Sequence, residues 1–140
     1  MSQYLFAYGT LQHGHAPSEI AVAVERLRPV GRGFVHGVLY DLGGYPGAAL
    51  DPQSMGRIAG TVLELPEDAS VLRALDAYEG FDPEAPGTSE FVRERQSVEL
   101  SGGGKVECWF YRYNRPLGGA RAIEGGAWRR SAASSKQANG

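Results

Sequence analysis

The chain of 140 residues sets 14 Lys plus Arg against 16 Asp plus Glu, a formal charge of −2. No overall field therefore draws it to nucleic acid or an anionic membrane, and a small-molecule partner is the simpler expectation. The length suits one domain with a real core, and a single cysteine, Cys108, excludes an intramolecular disulfide and the Cys-rich metal sites.

The start, MSQYLFAYG, lacks a basic lead, a long apolar run and a small-residue cleavage site, and no stretch approaches the roughly 18 apolar residues of a membrane span. A soluble, cytoplasmic protein is expected. Tyr4, Phe6 and Tyr8 alternate with Leu5 and Ala7, so this first strand is apolar on both faces and belongs in the middle of a sheet. After a polar, Gly-containing loop, Pro17, Ser18 and Glu19 precede IAVAVERL, which puts Ile20, Val24 and Leu27 on one helical face. Residues 34–42 read as a strand, GGYPG at 43–47 as a turn, and 57–65 as a further strand in which Gly60 marks a bulge or a close approach.

The clearest helix follows Pro66, over about 68–78, with Val71, Leu72, Leu75 and Tyr78 at helical spacing and Gly80 just past its end. Residues 91–100 and 106–113 then form a hairpin around SGGGK. The regular βα alternation of a doubly wound sheet is missing, which leaves an α+β fold: a mixed, mainly antiparallel sheet, able to close into a barrel, with helices against it. The domain is expected to span 1–117. Residues 118–140 have little periodicity and are set outside the core, the last ten being small and polar like a frayed tail.

Two places could do chemistry. In YGTLQHG, a Gly at the end of a buried strand permits unusual backbone angles, and successive N–H groups in such a turn can converge on an anion; the plainer reading is that Gly9 only turns the chain. In LDAYEGFDP, Glu79 falls at the C-terminal end of the best helix, where the helix dipole disfavours a negative charge, and Tyr78 and Phe81 could shield it from water. Such a carboxyl would exchange protons near neutral pH, although a solvated helix-end Glu is the bland alternative.

Other residues offer less. His13, His15 and His36 form no metal-ligand set. Ser54 and Ser89 lack a GxSxG context, and Cys108 among apolar neighbours reads as a buried small side chain. Arg93 and Arg95 share a strand face, as do Trp109, Tyr111 and Tyr113, the latter as core or pocket wall.

The motifs AYGTLQHG, LYDLGGYPGA, LDAYEGFDP, TSEFVRERQSVEL and ECWFYRYN, in that order over residues 4–114, resemble the gamma-glutamylcyclotransferase-like family, which includes plant AIG2-like proteins and gamma-glutamylamine cyclotransferases. YGTL and YEG together give the resemblance its specificity. It implies a small mixed β-barrel with helices outside. It also implies a turn, Tyr8, Gly9, Thr10 and Leu11, that holds the glutamyl end of a γ-glutamyl substrate, and one glutamate, Glu79, that moves protons while 5-oxoproline forms. No metal or organic cofactor is implied. Phe91 stands where Tyr is common in the family and Cys108 where Ala is common, both away from this machinery. Tyr45 and Tyr113 are candidates to line the pocket. The resemblance leaves the departing amine and the oligomeric state open. Two rivals remain: a non-catalytic small-molecule binder of the same fold, and an interaction protein presenting its aromatic strand.

Overall fold

The first strand, β1 (Gln3–Ala7), runs between two others because it has apolar side chains to bury on both sides. The computed structural model describes residues 2–9 and 18–128. After α1 (Ser18–Glu25) come β2 (Arg28–Asp41), β3 (Pro46–Leu50), β4 (Arg57–Leu65), α2 (Ala69–Glu79), β5 (Phe91–Leu100), β6 (Lys105–Tyr113) and β7 (Arg121–Ala122). Strands pair in the order β2, β4, β1, β6, β5, and β5 returns to β2 through Gly33 opposite Leu100 and Phe34 opposite Glu99, closing a five-stranded barrel. The β1–β6 pairing is parallel and the other four are antiparallel. β3 and β7 extend β2 beyond the barrel. The fold is the expected α+β barrel with helices outside.

Strand alternation divides the core in two. Phe6 and Tyr8 join Val35, Leu39, Ile58, Val62, Val98, Cys108 and Phe110 in a cluster drawn from the barrel strands with no helix side chain, which is the barrel interior. Leu5 and Ala7 face the other way and pack with Ile20 and Val24 of α1 and Val71 and Leu75 of α2. Phe6 and Tyr8 stack on Phe110, with ring centroids 5.9 and 5.3 Å apart. Burial on this scale contributes about 1.5–3 kcal/mol per large side chain.

Helix α2 is bounded as its sequence dictates. Asp68 accepts the Ser70 N–H at 2.9 Å as N-cap, and Gly80 takes the left-handed conformation (φ 73°, ψ 31°) that ends the helix. Its buried stripe is Val71, Leu75, Asp76 and Glu79, so two acidic residues sit where apolar ones would be expected.

Gly60 proves to be a close approach and not the bulge. A Cβ there would press on the Ala7 carbonyl and lie 2.8 Å from the Phe6 ring, so only Gly lets β4 come this near the end of β1. The register shift lies instead in β2, between Pro29 and Gly31. That strand starts at Arg28, earlier than its sequence suggests, because pairing with β4 supplies partners that the stretch RPVGRG does not advertise.

Residues 121–128, set outside the core on sequence grounds, pack on the barrel. The Ile123 N–H donates to the Leu39 carbonyl at 2.7 Å, and Ile123 and Trp128 rest against the interior cluster. The last ten residues lie outside the described residues. Among the described residues no helix is long and apolar enough to cross a membrane.

Candidate active site

The sheet delivers Tyr8 and Gly9, both buried, to the point where β1 ends. The Tyr8 hydroxyl donates to the Tyr111 carbonyl on neighbouring β6 at 2.6 Å and receives the Ala48 N–H of β3. From the opposite layer, α2 brings its last residue, Glu79, which has no exposed surface. The helix end acts on the strand end through charge: the Tyr8 hydroxyl is held well above its ordinary pKa by burial first and the Glu79 charge second. The Tyr111 phenol is raised likewise, by burial and then by Asp76 and Glu79. Thr10 and Leu11, expected to complete the turn, lie outside the described residues, as do His13 and His15.

Behind Glu79 is a polar cluster that sequence reasoning missed. Asp76, only 6% exposed, accepts the Tyr111 hydroxyl at 2.7 Å and Arg93 Nε at 2.8 Å on Oδ1, and Arg93 Nη2 at 3.2 Å on Oδ2. The Arg93 guanidinium is flanked by the rings of Trp109 and Phe81, 4.3 and 5.6 Å from their centroids. Arg93 is thus engaged inside the protein, while Arg95 lies over the Trp109 ring at 4.4 Å. One signal for Asp76 was available: it falls one turn before Glu79 and four residues after Leu72, on the buried stripe.

Just beyond Gly80 the chain returns at Glu90, whose N–H donates to the Gly80 carbonyl at 3.3 Å. Tyr45 donates its hydroxyl to Glu90 Oε2 at 2.8 Å, and burial together with this bond raises the Tyr45 pKa. Tyr113 meets Phe91 edge-on, with centroids 5.3 Å apart, and both Tyr45 and Tyr113 pack against the cluster containing Leu75 and Tyr111. The two tyrosines named from sequence therefore flank the same helix end as Glu79. Phe91 itself is fully buried.

A groove of about 490 Å³, bordered by Gln3, Leu65, Asp68, Leu72, Asp76 and Arg93, opens at the other end of α2. Tyr8, Gly9 and Glu79 do not line it, and it shares only Asp76 and Arg93 with the site. A fully buried carboxyl at the strand end, and not the size of this groove, makes the Glu79 region the candidate site.

The remaining candidates have structural roles. Ser89 Oγ donates to the Ala85 carbonyl and accepts the Asp82 N–H. Cys108 is in the barrel interior with its thiol pushed up to about 12 by burial. His36 pairs with Glu99 at 3.2 Å on the β2–β5 seam. Among the described residues no three His, Cys, Asp or Glu side chains are grouped to hold a metal ion.

The sequence and its five-stranded barrel match a known family. Residues 5–130 fit the family described as "Gamma-glutamyl cyclotransferase, AIG2-like", and the chain belongs to it. It is 30% identical over 124 residues to the gamma-glutamylcyclotransferase family protein YtfP of Escherichia coli K12, covering 89% of this chain and 94% of YtfP. The solution structure of E. coli YtfP superposes with a TM-score of 0.57 at 28% identity, covering 90% of this chain and 96% of that one. The crystal structure of a mouse AIG2-like protein superposes with a TM-score of 0.70 over 91% of this chain and 88% of that chain; at 19% identity it speaks for the fold alone.

Proposed function

We propose that the chain is a cofactor-independent γ-glutamyl cyclotransferase that releases 5-oxoproline and an amine from a γ-glutamyl amide. The observation that supports this most is the complete burial of Glu79 against the Tyr8 end of β1. The substrate carries its own nucleophile, so the protein's task is positioning and proton transfer, not covalent catalysis.

In this reading Glu79 accepts a proton from the substrate's α-ammonium, whose pKa is near 8 when free. The amine then attacks the γ-carbonyl carbon and closes a five-membered ring. As the bond from that carbon to the leaving nitrogen breaks, Glu79 returns the proton to the departing nitrogen. The ring nitrogen keeps one of its three protons and the leaving amine gains two, so the carboxyl relays twice with no net change of its own state. Removal from water disfavours a carboxylate relative to the carboxylic acid, which suits a group that serves as base and then acid. Backbone N–H groups of the turn Tyr8, Gly9, Thr10 and Leu11 would receive the substrate carboxylate and the tetrahedral oxyanion. Tyr45 and Tyr113 would form the wall on the leaving-group side.

The test is 5-oxoproline release from a panel of γ-glutamyl amino acids and γ-glutamyl amines, native protein against Glu79→Gln. Turnover by the native protein and a loss of roughly 10²–10⁴-fold in the variant, with unchanged circular dichroism, are expected. A fully active Glu79→Gln overturns the mechanism. A panel bound but never turned over makes the chain a binder of the same fold.

A further inference from the structure

The buried polar cluster on the far side of Tyr111 is absorbed by nothing in that mechanism. A carboxylate 6% exposed, satisfied by three charge-assisted or phenolic bonds, is an unusual occupant of a helix stripe that otherwise buries Val71 and Leu75. An apolar residue at position 76 would pack α2 against the sheet without the cost of desolvating an ion pair.

What the pair does that an apolar contact could not is fix orientation. Arg93 is itself held over Trp109 and Phe81, and its fork meets both oxygens of Asp76, which leaves the carboxylate one geometry. The same Oδ1 takes the Tyr111 hydroxyl, and the Tyr111 carbonyl takes the Tyr8 hydroxyl. A continuous run of bonds thus joins β5, α2, β6 and the end of β1. The Asp76 carbonyl also accepts the Phe81 N–H at 2.9 Å, so the turn containing Glu79 is closed onto the same residue.

We propose that Asp76 is a positioning residue: its carboxylate, clamped by Arg93 and Tyr111, sets the last turn of α2 so that Glu79 faces the Tyr8 end of β1. This rests on the cyclotransferase reading for its kinetic consequence but not for its structural one. The Glu79 charge acts on Tyr8 at the end of β1 and on Tyr111 of β6, while Glu90 lies beside Gly80 and Arg93 pairs with Asp76. Asp76 is one helical turn before Glu79, so whatever fixes its carboxylate also fixes the turn that presents Glu79.

Asp76→Asn keeps the size and an acceptor for Tyr111 while removing the charge. In 5-oxoproline assays its kcat should fall at least about 10-fold with KM within about 2-fold, because proton transfer depends on the Glu79 geometry and the strand-end donors are untouched. Arg26→Ala, which breaks the exposed Arg26–Asp68 pair at the other end of α2, serves as the control for loosening the helix and should leave both constants unchanged. If Asp76→Asn does not fold, Arg93→Gln tests the same clamp. In parallel, carbon NMR of glutamate-labelled protein follows the Glu79 carboxyl, assigned by its loss in Glu79→Gln. At constant pH its resonance should be displaced in Asp76→Asn and stay in place in Arg26→Ala, because the last turn of α2 loses its clamp.

Unchanged kcat together with an unmoved Glu79 resonance overturns the proposal, as does a parallel loss of kcat and binding in both Asp76→Asn and Arg26→Ala. Should the native protein turn over no γ-glutamyl amide, the cyclotransferase reading fails and the NMR comparison alone decides the role of Asp76: a Glu79 resonance displaced in Asp76→Asn but not in Arg26→Ala sustains it and an unmoved one rejects it.

Discussion

The Tyr8 hydroxyl reaches the backbone carbonyl of Tyr111 at 2.6 Å, a bond between residues 103 positions apart. It ties the end of the strand that leads into the proposed substrate turn to the strand whose other side receives Asp76. The Ala48 N–H on the same hydroxyl adds β3 to the joint.

Tyr8→Phe keeps the ring on Phe110 and leaves the Tyr111 carbonyl and the Ala48 N–H without that partner. A loss of about 1–3 kcal/mol in unfolding free energy is expected in urea titrations, with 5-oxoproline turnover reduced. The pH dependence follows from the raised Tyr8 pKa. The unfolded phenol titrates near 10.0 and the folded one higher, so this stability is present below 10.0 and lost as the pH rises above it. In Tyr8→Phe that alkaline loss should be smaller. A variant with native stability and an identical alkaline limb would show that the hydroxyl bonds contribute nothing.

Gly60→Ala tests whether the end of β1 must be approached this closely. The new methyl would meet the Ala7 carbonyl and the Phe6 ring, which a backbone atom and a stacked ring cannot easily vacate. Overpacking of this kind costs about 1–3 kcal/mol, and displacement of Ala7 would carry into Tyr8 and Gly9, lowering turnover as well as the urea midpoint. Gly31→Ala is the matched control: no atom lies within 4 Å of its Cβ position, so stability should hold or rise slightly. Equal midpoints for the two variants would remove the close-approach argument.

The contrast between these two glycines also marks how far the sequence could be read. The two-faced apolar pattern of residues 4–8 predicts a central strand, and β1 is one, because alternation is a local signal that burial must satisfy. Helix α2 and the β5–β6 hairpin were legible for the same reason. The barrel was expected from the sheet pattern and the family resemblance, but which strands close it was not, since neither the parallel β1–β6 pairing nor the short β2–β5 seam has a local signature. In the site, Glu79 could be found from its place before a capping Gly. Asp76 offered only its place on the helix stripe, because its partners Tyr111 and Arg93 are 35 and 17 residues away and a charged side chain on a helix reads as solvated until those partners are seen.

Cys108 should be chemically silent in the folded protein. Burial in the barrel interior pushes its thiol up to about 12, so at pH 8 only about one molecule in 10⁴ carries the thiolate. Reaction with an aromatic disulfide reagent at pH 8 should be more than about 100-fold slower than in 6 M guanidinium, and 5-oxoproline release should survive thiol blocking conditions. Rates within about tenfold of the denatured protein would mean that the barrel opens readily or that the thiol is not buried.

Asp68 gives the acid limb. It caps α2 through the Ser70 N–H and pairs with Arg26 at 2.9 Å, and the Arg26 and Ser70 contacts hold its carboxyl well below the ordinary 3.8. The unfolded chain takes up a proton near 3.8 and the folded chain only at lower pH, so the contribution of Asp68 is fully present above 3.8 and is lost as the pH falls through the depressed folded value. Thermal unfolding of Asp68→Asn against the native protein should therefore show a lower Tm for the variant at pH 7 and converging values as the pH is taken below 3.8. The residual gap at the acidic end reports the neutral cap, since Asn can still accept the Ser70 N–H. High salt at pH 7 should narrow the difference too, because both partners are exposed and the Arg26 attraction is screened. A gap independent of both pH and salt would assign the whole effect to the capping bond and none to charge.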